Sequence, residues 1–391
     1  MPSILLTDIS QNVWVESLAI GPRDLGLPIG ADWSIVKKTR RGGRGHGVDL
    51  IEIRGGDLEF AVVPTRGMGI WRGSYRGDRL GWDSPVTDGP VHPMFVNSAK
   101  NGGLGWLDGF DELLARCGLE SNGAPYVETS ADGRQTIVGL HGAIAGLPAH
   151  YVSIDIDEKP PYTITIEGRV DESRLFGPHI RMCSKIATVP GSNRLTVTDT
   201  FTNLGDSACD LEALYHWNFG PPYLGAGSRF VAPIKTLVPR DTRAVEGLSS
   251  YDVYRGPEPG FAEMVYFMEL FDRSGETIVL LQNHAGEKGV ALRYQTAGTP
   301  AFTLWKCTRG EREGYVTGLE PGTNYPNPKP FEKSRGRVVS LDPGASHTAV
   351  ISLEILAGSA EIQKITSEIA LIAKGRPANV HPGPVEPFCK A

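Results

Sequence analysis

Arg194-Leu195-Thr196-Val197-Thr198-Asp199-Thr200-Phe201-Thr202 sets Leu195, Val197 and Phe201 in one phase and a run of threonines in the other, and Tyr162-Thr163-Ile164-Thr165-Ile166-Glu167 repeats the pattern. A period of two marks a sheet with one buried and one solvated face. Shorter runs recur along the chain: Leu58 to Val63, Thr277 to Gln282, Val290 to Tyr294, Phe302 to Lys306 and Ala349 to Ile355. Each is bounded by Gly, Pro, Asp or Asn, the residues that make turns. Strands do not alternate with long helices, which removes the doubly wound and (β/α)₈ classes. The expected fold is all-β, with about twenty mostly antiparallel strands in two large sheets packed face to face and a ligand cleft on the concave side.

Composition agrees with dense turns. The 48 glycines and 29 prolines among 391 residues make about a fifth of the chain, against a usual share of roughly 12%. Hydrophobic residues at 40% and charged residues at 21% give enough apolar material for a large core and too little charge for disorder. The net charge of -6 argues against nucleic acid or an anionic membrane as the partner, since such surfaces need a basic excess. No apolar run approaches the roughly 18 residues of a spanning helix, and the start, Met1-Pro2-Ser3-Ile4, lacks a basic region before an apolar one. Five widely spaced cysteines, Cys117, Cys183, Cys209, Cys307 and Cys389, include no C-x-x-C pair, which favours a reduced cytoplasm and disfavours a cysteine zinc site.

Two helices are expected. Asp108 to Arg116 has a capping residue, the acids Asp111 and Glu112 in its first turn, and Phe110, Leu113, Leu114 and Cys117 on one stripe. Ile362, Ile365, Ile369 and Ile372 fall at helical spacing between Ser359 and Lys374-Gly375. With no repeat and no low-complexity linker, one domain is expected over residues 1–357, with a C-terminal helix and a Pro-rich extended tail packed on it over residues 358–391.

Phosphate loops, serine-hydrolase elbows and zincin helices lack their signatures, and Gly42 to Gly47, with no strand before it or helix after it, reads as a mobile loop. Among the candidate site residues, His141 precedes a glycine that admits a close neighbour, though a plain turn histidine looks the same. His216 and Asn218 lie two apart at an aromatic strand end and share a side, so they could meet one ligand, or His216 is simply a buried, hydrogen-bonded histidine. Glu320 precedes Pro321-Gly322, a turn that would hold a general base rigidly or serve as a solvated corner. Arg66 ends a strand in a glycine-bearing loop and could fork onto hydroxyls or make an ordinary ion pair. Trp305-Lys306 could offer a sugar an apolar face and a donor, or be a strand with one side in and one out.

Taken in order, Pro64 to Ile70, Gly105-Trp106, Gly109-Phe110, Cys117-Gly118-Leu119, Leu140-His141-Gly142, Tyr215 to Asn218 and Gly318 to Pro321 resemble the galactose-mutarotase-like superfamily, in particular its uncharacterised aldose 1-epimerase-like members. The resemblance implies a β-supersandwich, no metal or cofactor, and a small-molecule carbohydrate bound in the concave cleft of a monomer or homodimer. By matching motif it implies Glu320 as base, His216 as acid and His141 as a substrate ligand; Arg66, Asn218 and Lys306 are expected beside them as further substrate ligands on the reading of their own segments. The His216-Trp217-Asn218 segment is shorter than the family's and lacks its proline.

Mutarotation needs a base for the anomeric hydroxyl proton and an acid for the ring oxygen, which one carboxylate and one imidazolium supply. A neighbouring carboxylate would raise the pKa of His216 and keep it charged, while Glu320 stays deprotonated. Two rivals stand beside this reading. One is isomerisation or elimination on an acidic sugar, with Arg66, Arg181 and Lys306 meeting its anionic group. The other is a noncatalytic carbohydrate-binding protein.

Overall fold

The alternating segments become strands of two large sheets in the computed structural model, which describes residues 3–27, 32–130 and 132–389. Arg194–Asn203 lies centrally in a ten-stranded sheet, between His179–Thr188 on one side and Ser346–Ala357 on the other. Its Leu195, Val197 and Phe201 are buried toward the core, as the period of two requires, while Thr196, Thr200 and Thr202 pair across the outer face with Ser352, Thr348 and Ser346.

The second sheet has fourteen strands. Five of its neighbours, in the order Met264–Leu270, Ala301–Thr308, Tyr315–Gly322, Cys209–Phe219 and Leu114–Leu119, form the floor of the concave face. The sheets pack through one continuous apolar core that includes Ile51, Ile53, Val62, Ile154, Ile166, Val197, Trp217 and Leu353. A buried ion pair crosses it. Arg116 donates from Nε to Asp199 Oδ2 at 2.6 Å and from Nη2 to Oδ1 at 3.1 Å, joining the fourteen-stranded sheet to the ten-stranded one.

Two sequence expectations change here. Asp108 to Arg116 is not a helix: a 3-10 turn covers Gly105–Gly109, and Leu114–Leu119 is a strand paired with Cys209–Phe219. Every residue from Gly109 to Leu119 is buried, so the helical stripe was part of a run buried on both faces, which periodicity cannot distinguish from a helix. Glu320-Pro321-Gly322 is likewise strand rather than turn. The ladder to Cys209–Phe219 skips from Trp217–Leu319 to Leu214–Gly322, so Pro321 sits in a gap that asks no N–H of it.

The second helix forms over Ser359–Ala373 and buries Ile362, Ile365, Ile369 and Ile372 against Ile278, Leu280, Ala291 and Leu356, each isoleucine contributing about 2 kcal/mol. Beyond it, Asn379–Val380 pairs with Ile234–Pro239, and Val385, Phe388 and Cys389 pack on Val238, Val265, Phe267 and Tyr325. Residues 390 and 391 of the expected tail lie outside the described residues. Among the described residues no helix is long and apolar enough to cross a membrane, and all five cysteines are free.

Candidate active site in the concave cleft

Antiparallel register brings the chemistry together. Thr303 faces Glu320 and Trp305 faces Gly318 across one ladder, while the next sets Asn218 against Gly318 and therefore His216 beside Glu320. His216 Nε2 lies 3.3 Å from Glu320 Oε1, with the two side chains 5% and 3% exposed. Gly318 makes the approach possible: a Cβ there would lie 2.4 Å from Glu320 Oε1 and 3.0 Å from His216 Cε1.

The pair lies in a cleft of about 370 Å³ lined also by Trp106, Phe110, His141, Thr303, Trp305, Arg240 and Glu263, near the lower end of the roughly 300–1,000 Å³ of small-molecule sites. Aromatic rings enclose it. Trp305 and Phe110 stand edge-on to His216 with centroids 5.2 and 5.1 Å away, and Trp106 lies 4.6 Å from His141.

Each histidine has its tautomer set from behind. His216 Nδ1 meets Asn218 Oδ1 at 2.7 Å, and Asn218 Nδ2 donates to the carbonyls of Glu112 and His216, so the amide oxygen can only accept. Nδ1 of His216 thus carries hydrogen and Nε2 faces Glu320 with its lone pair. His141 Nδ1 donates to Asn122 O at 2.8 Å, leaving its Nε2 as an acceptor. Gly142 lets this happen, since a Cβ there would fall 2.1 Å from Ser121 O.

The charge states run opposite to the sequence expectation. Burial pushes Glu320 well above the usual carboxylate range, and burial with the nearby His141 holds His216 well below the usual imidazole range. Both groups are too deeply desolvated for their mutual attraction to dominate, so burial favours a protonated Glu320 beside a neutral His216. His141 is lowered to about 4 by burial and stays neutral.

Among the described residues, three polar atoms of the cleft have no hydrogen-bond partner: Glu320 Oε1, Trp106 Nε1 and Thr303 Oγ1. Buried polar groups are normally satisfied. Together with His141 Nε2 they offer donors and acceptors in mixture, the complement of hydroxyl groups rather than of an anion.

The other expected ligands do not reach the cleft. Asn218 is fully buried behind His216. Arg66 is buried in an ion pair with Glu112 and donates to Val91 O at 3.0 Å. The same carboxylate, with Asp111 accepting from Trp71 Nε1, holds the segment beneath the cleft instead of decorating a helix. Lys306 points to the opposite face from Trp305, where its Nζ donates to Ser250, Tyr251 and Val253 carbonyls. Arg181 is on the other sheet, forked onto Asp171.

Two residues escaped the sequence reading. Glu263 accepts from Trp305 Nε1 at 2.7 Å and from Arg240 Nη2 at 2.9 Å, and Arg240 Nε donates to Asp241 at 2.9 Å. Both sit just beyond strand ends in no motif, and only the neighbouring strands bring them to the cleft.

The family described as Domain of unknown function (DUF4432) matches residues 45–355. A structure from Klebsiella pneumoniae subsp. pneumoniae MGH 78578, described as a "putative aldose 1-epimerase", is 35% identical with all of both chains covered and a TM-score of 0.94. A galactose mutarotase-like protein from Clostridium acetobutylicum is 14% identical, with 84% of this chain and 99% of that one covered and a TM-score of 0.55. The galactose 1-epimerase of Lactobacillus acidophilus NCFM is 9% identical, with 84% and 100% covered and a TM-score of 0.52, so these two share the fold. A search of curated proteins returned no match.

Proposed function

The chain belongs to the DUF4432 family within the galactose-mutarotase-like superfamily, and on that premise we propose that it is a cofactor-independent aldose 1-epimerase-like isomerase, interconverting sugar anomers by acid and base ring opening. One observation carries the reading: a carboxylate and an imidazole 3.3 Å apart on the floor of an aromatic cleft.

We assign Glu320 as base and His216 as acid. In the charge-separated form of the pair, Glu320 removes the proton of the anomeric hydroxyl while His216 protonates the ring oxygen, and the C1–O bond to the ring breaks to give the aldehyde. Rotation about C1–C2 then presents the other face. At that stage Glu320 is protonated and His216 neutral, the state that burial favours. Closure returns the carboxyl proton to the aldehyde oxygen as His216 takes the proton of the attacking hydroxyl. Closure thus leaves Glu320 ionised and His216 protonated, the charge-separated form that opens the next ring.

His141 is assigned as a substrate ligand that accepts a hydroxyl proton at Nε2, and Trp305 as the wall against which the sugar's apolar face lies. Asn218 acts by holding His216, and Arg66 by holding Glu112 beneath it. The acidic-sugar reading is not favoured, because its three cations lie outside the cleft and Arg240 already meets two carboxylates. Five free thiols support a cytoplasmic setting, and a cleft lined by one chain fits either a monomer or a homodimer.

The test is NMR exchange between anomers for a panel of neutral and acidic aldoses, comparing wild type with Glu320→Gln. Acceleration by wild type that falls by roughly 100-fold or more in the variant is expected. No acceleration of any aldose would sink the proposal.

A further inference from the structure

Glu212 is a carboxylate with no surface exposure, four residues before His216 on the same strand and on the same face. Burying an ionisable group without a cation costs several kcal/mol. Among the described residues, none of its hydrogen bonds comes from Lys or Arg, and the nearby Lys329 is paired with Asp210. Its partners are instead two segments of the cleft wall.

Glu212 Oε2 accepts the backbone N–H of Asn122 at 3.1 Å, and Oε1 accepts Asn324 Nδ2 at 2.7 Å. Asn122 Nδ2 in turn donates to Asn324 Oδ1 at 3.0 Å, an oxygen that also accepts from Thr323 Oγ1 at 2.7 Å. The carbonyl of that same Asn122 receives His141 Nδ1. A single buried carboxylate therefore fixes the residue that sets the tautomer of His141, and also the turn that follows the Glu320 strand.

We propose that Glu212 is a positioning residue for the proposed anomer exchange, holding Asn122 so that its carbonyl keeps His141 with Nδ1 protonated and Nε2 turned to the substrate as an acceptor. The inference rests on the assignment of His141 as a substrate ligand. The geometry explains why a carboxyl group stands here: both partners are donors, so a group with two acceptor oxygens satisfies both, and an amide of the same shape does not. Burial raises Glu212 to about 7, with Glu332 adding to the rise and Lys329, Asn122 and Asn324 opposing it. The site thus retains a group that is costly to ionise.

Glu212→Gln changes no volume but turns one acceptor into a donor facing a donor. We expect KM to rise roughly tenfold or more, the loss of a hydrogen bond to a charged group, with kcat within threefold because Glu320 and His216 are untouched. The ¹⁵N spectrum of His141 should pass from one tautomer to a mixture. In a His141→Asn background the same substitution should add nothing to KM, whereas a general loosening of the fold would add in full. If Glu212→Gln does not fold, Glu212→Asp keeps the charge, withdraws it by one methylene and should shift both readouts the same way by less. Additive effects on KM, or a His141 spectrum unmoved by either variant, would overturn the proposal. If wild type exchanges no anomers, the functional reading fails on its own, and the His141 spectrum still decides whether Glu212 sets the tautomer.

Discussion

Gly318 carries no chemistry of its own, yet the cleft depends on its having no side chain. Adding one methyl places a carbon 2.4 Å from Glu320 Oε1 and 3.0 Å from His216 Cε1, so the pair must separate. Gly318→Ala should lower anomer exchange by roughly 100-fold, the scale of acid–base catalysis, while sparing the stability of the sheet around it. Parallel rate and thermal-melting measurements check this. His141 gives a prediction of opposite kind, on stability. Unfolded, it binds a proton near 6.5; folded, only near 4, so the unfolded chain holds more protons between these values. Stability should fall as pH drops from about 6.5 to 4, by about 3 kcal/mol from this residue. Urea midpoints for wild type and His141→Asn should converge across that window as the wild-type advantage is lost. At this scale the sequence was partly legible. His141, His216 and Glu320 stand in local motifs and meet in one cleft. Lys306 could have been excluded at once, because adjacent strand residues face opposite ways and Trp305 already claimed the cleft side. Glu263 and Arg240 were illegible, since nothing near them in sequence shows what they face.

Among the elements, the segment after Gly105 shows where pattern reading stops. A stripe of Phe110, Leu113, Leu114 and Cys117 fits a helix, but the protein buries what lies between the stripe as well, and Arg116 becomes a core residue. Asp199 explains how a guanidinium is tolerated there. It occupies the apolar phase of the Arg194–Asn203 strand, a position that looked like an interruption in the pattern and is half of an intersheet ion pair. Asp199→Ala leaves Arg116 with only Ser184 and the carbonyls of Gly67 and Met68. Stability should drop by about 3–5 kcal/mol, as expected for a buried charge stripped of its partner, read as a lowered urea midpoint. The Ser359–Ala373 helix was easier to read, because it is solvated on one side and its isoleucines therefore recur at the helical period.

For the whole molecule, we infer that both sheets and the C-terminal segment form one folding unit. A single calorimetric transition, with equal calorimetric and van't Hoff enthalpies, is the expected result, and a separate early transition for the residues after 358 would contradict it. The two-sheet architecture was legible because one-sided strands advertise their period; strand order was not, because pairing partners are distant in sequence. Ser346–Ala357 illustrates this by lying between Lys288–Gln295 and Arg194–Asn203, bonded along the length of both. Its place in the middle of the sheet has a consequence for biosynthesis. On the ribosome, a nascent chain ending between residues 295 and 346 carries two unfinished sheet edges with their hydrogen-bonding groups exposed. Completion waits for a segment made about 150 residues after its partner, so refolding in vitro should be slow and limited by this late insertion.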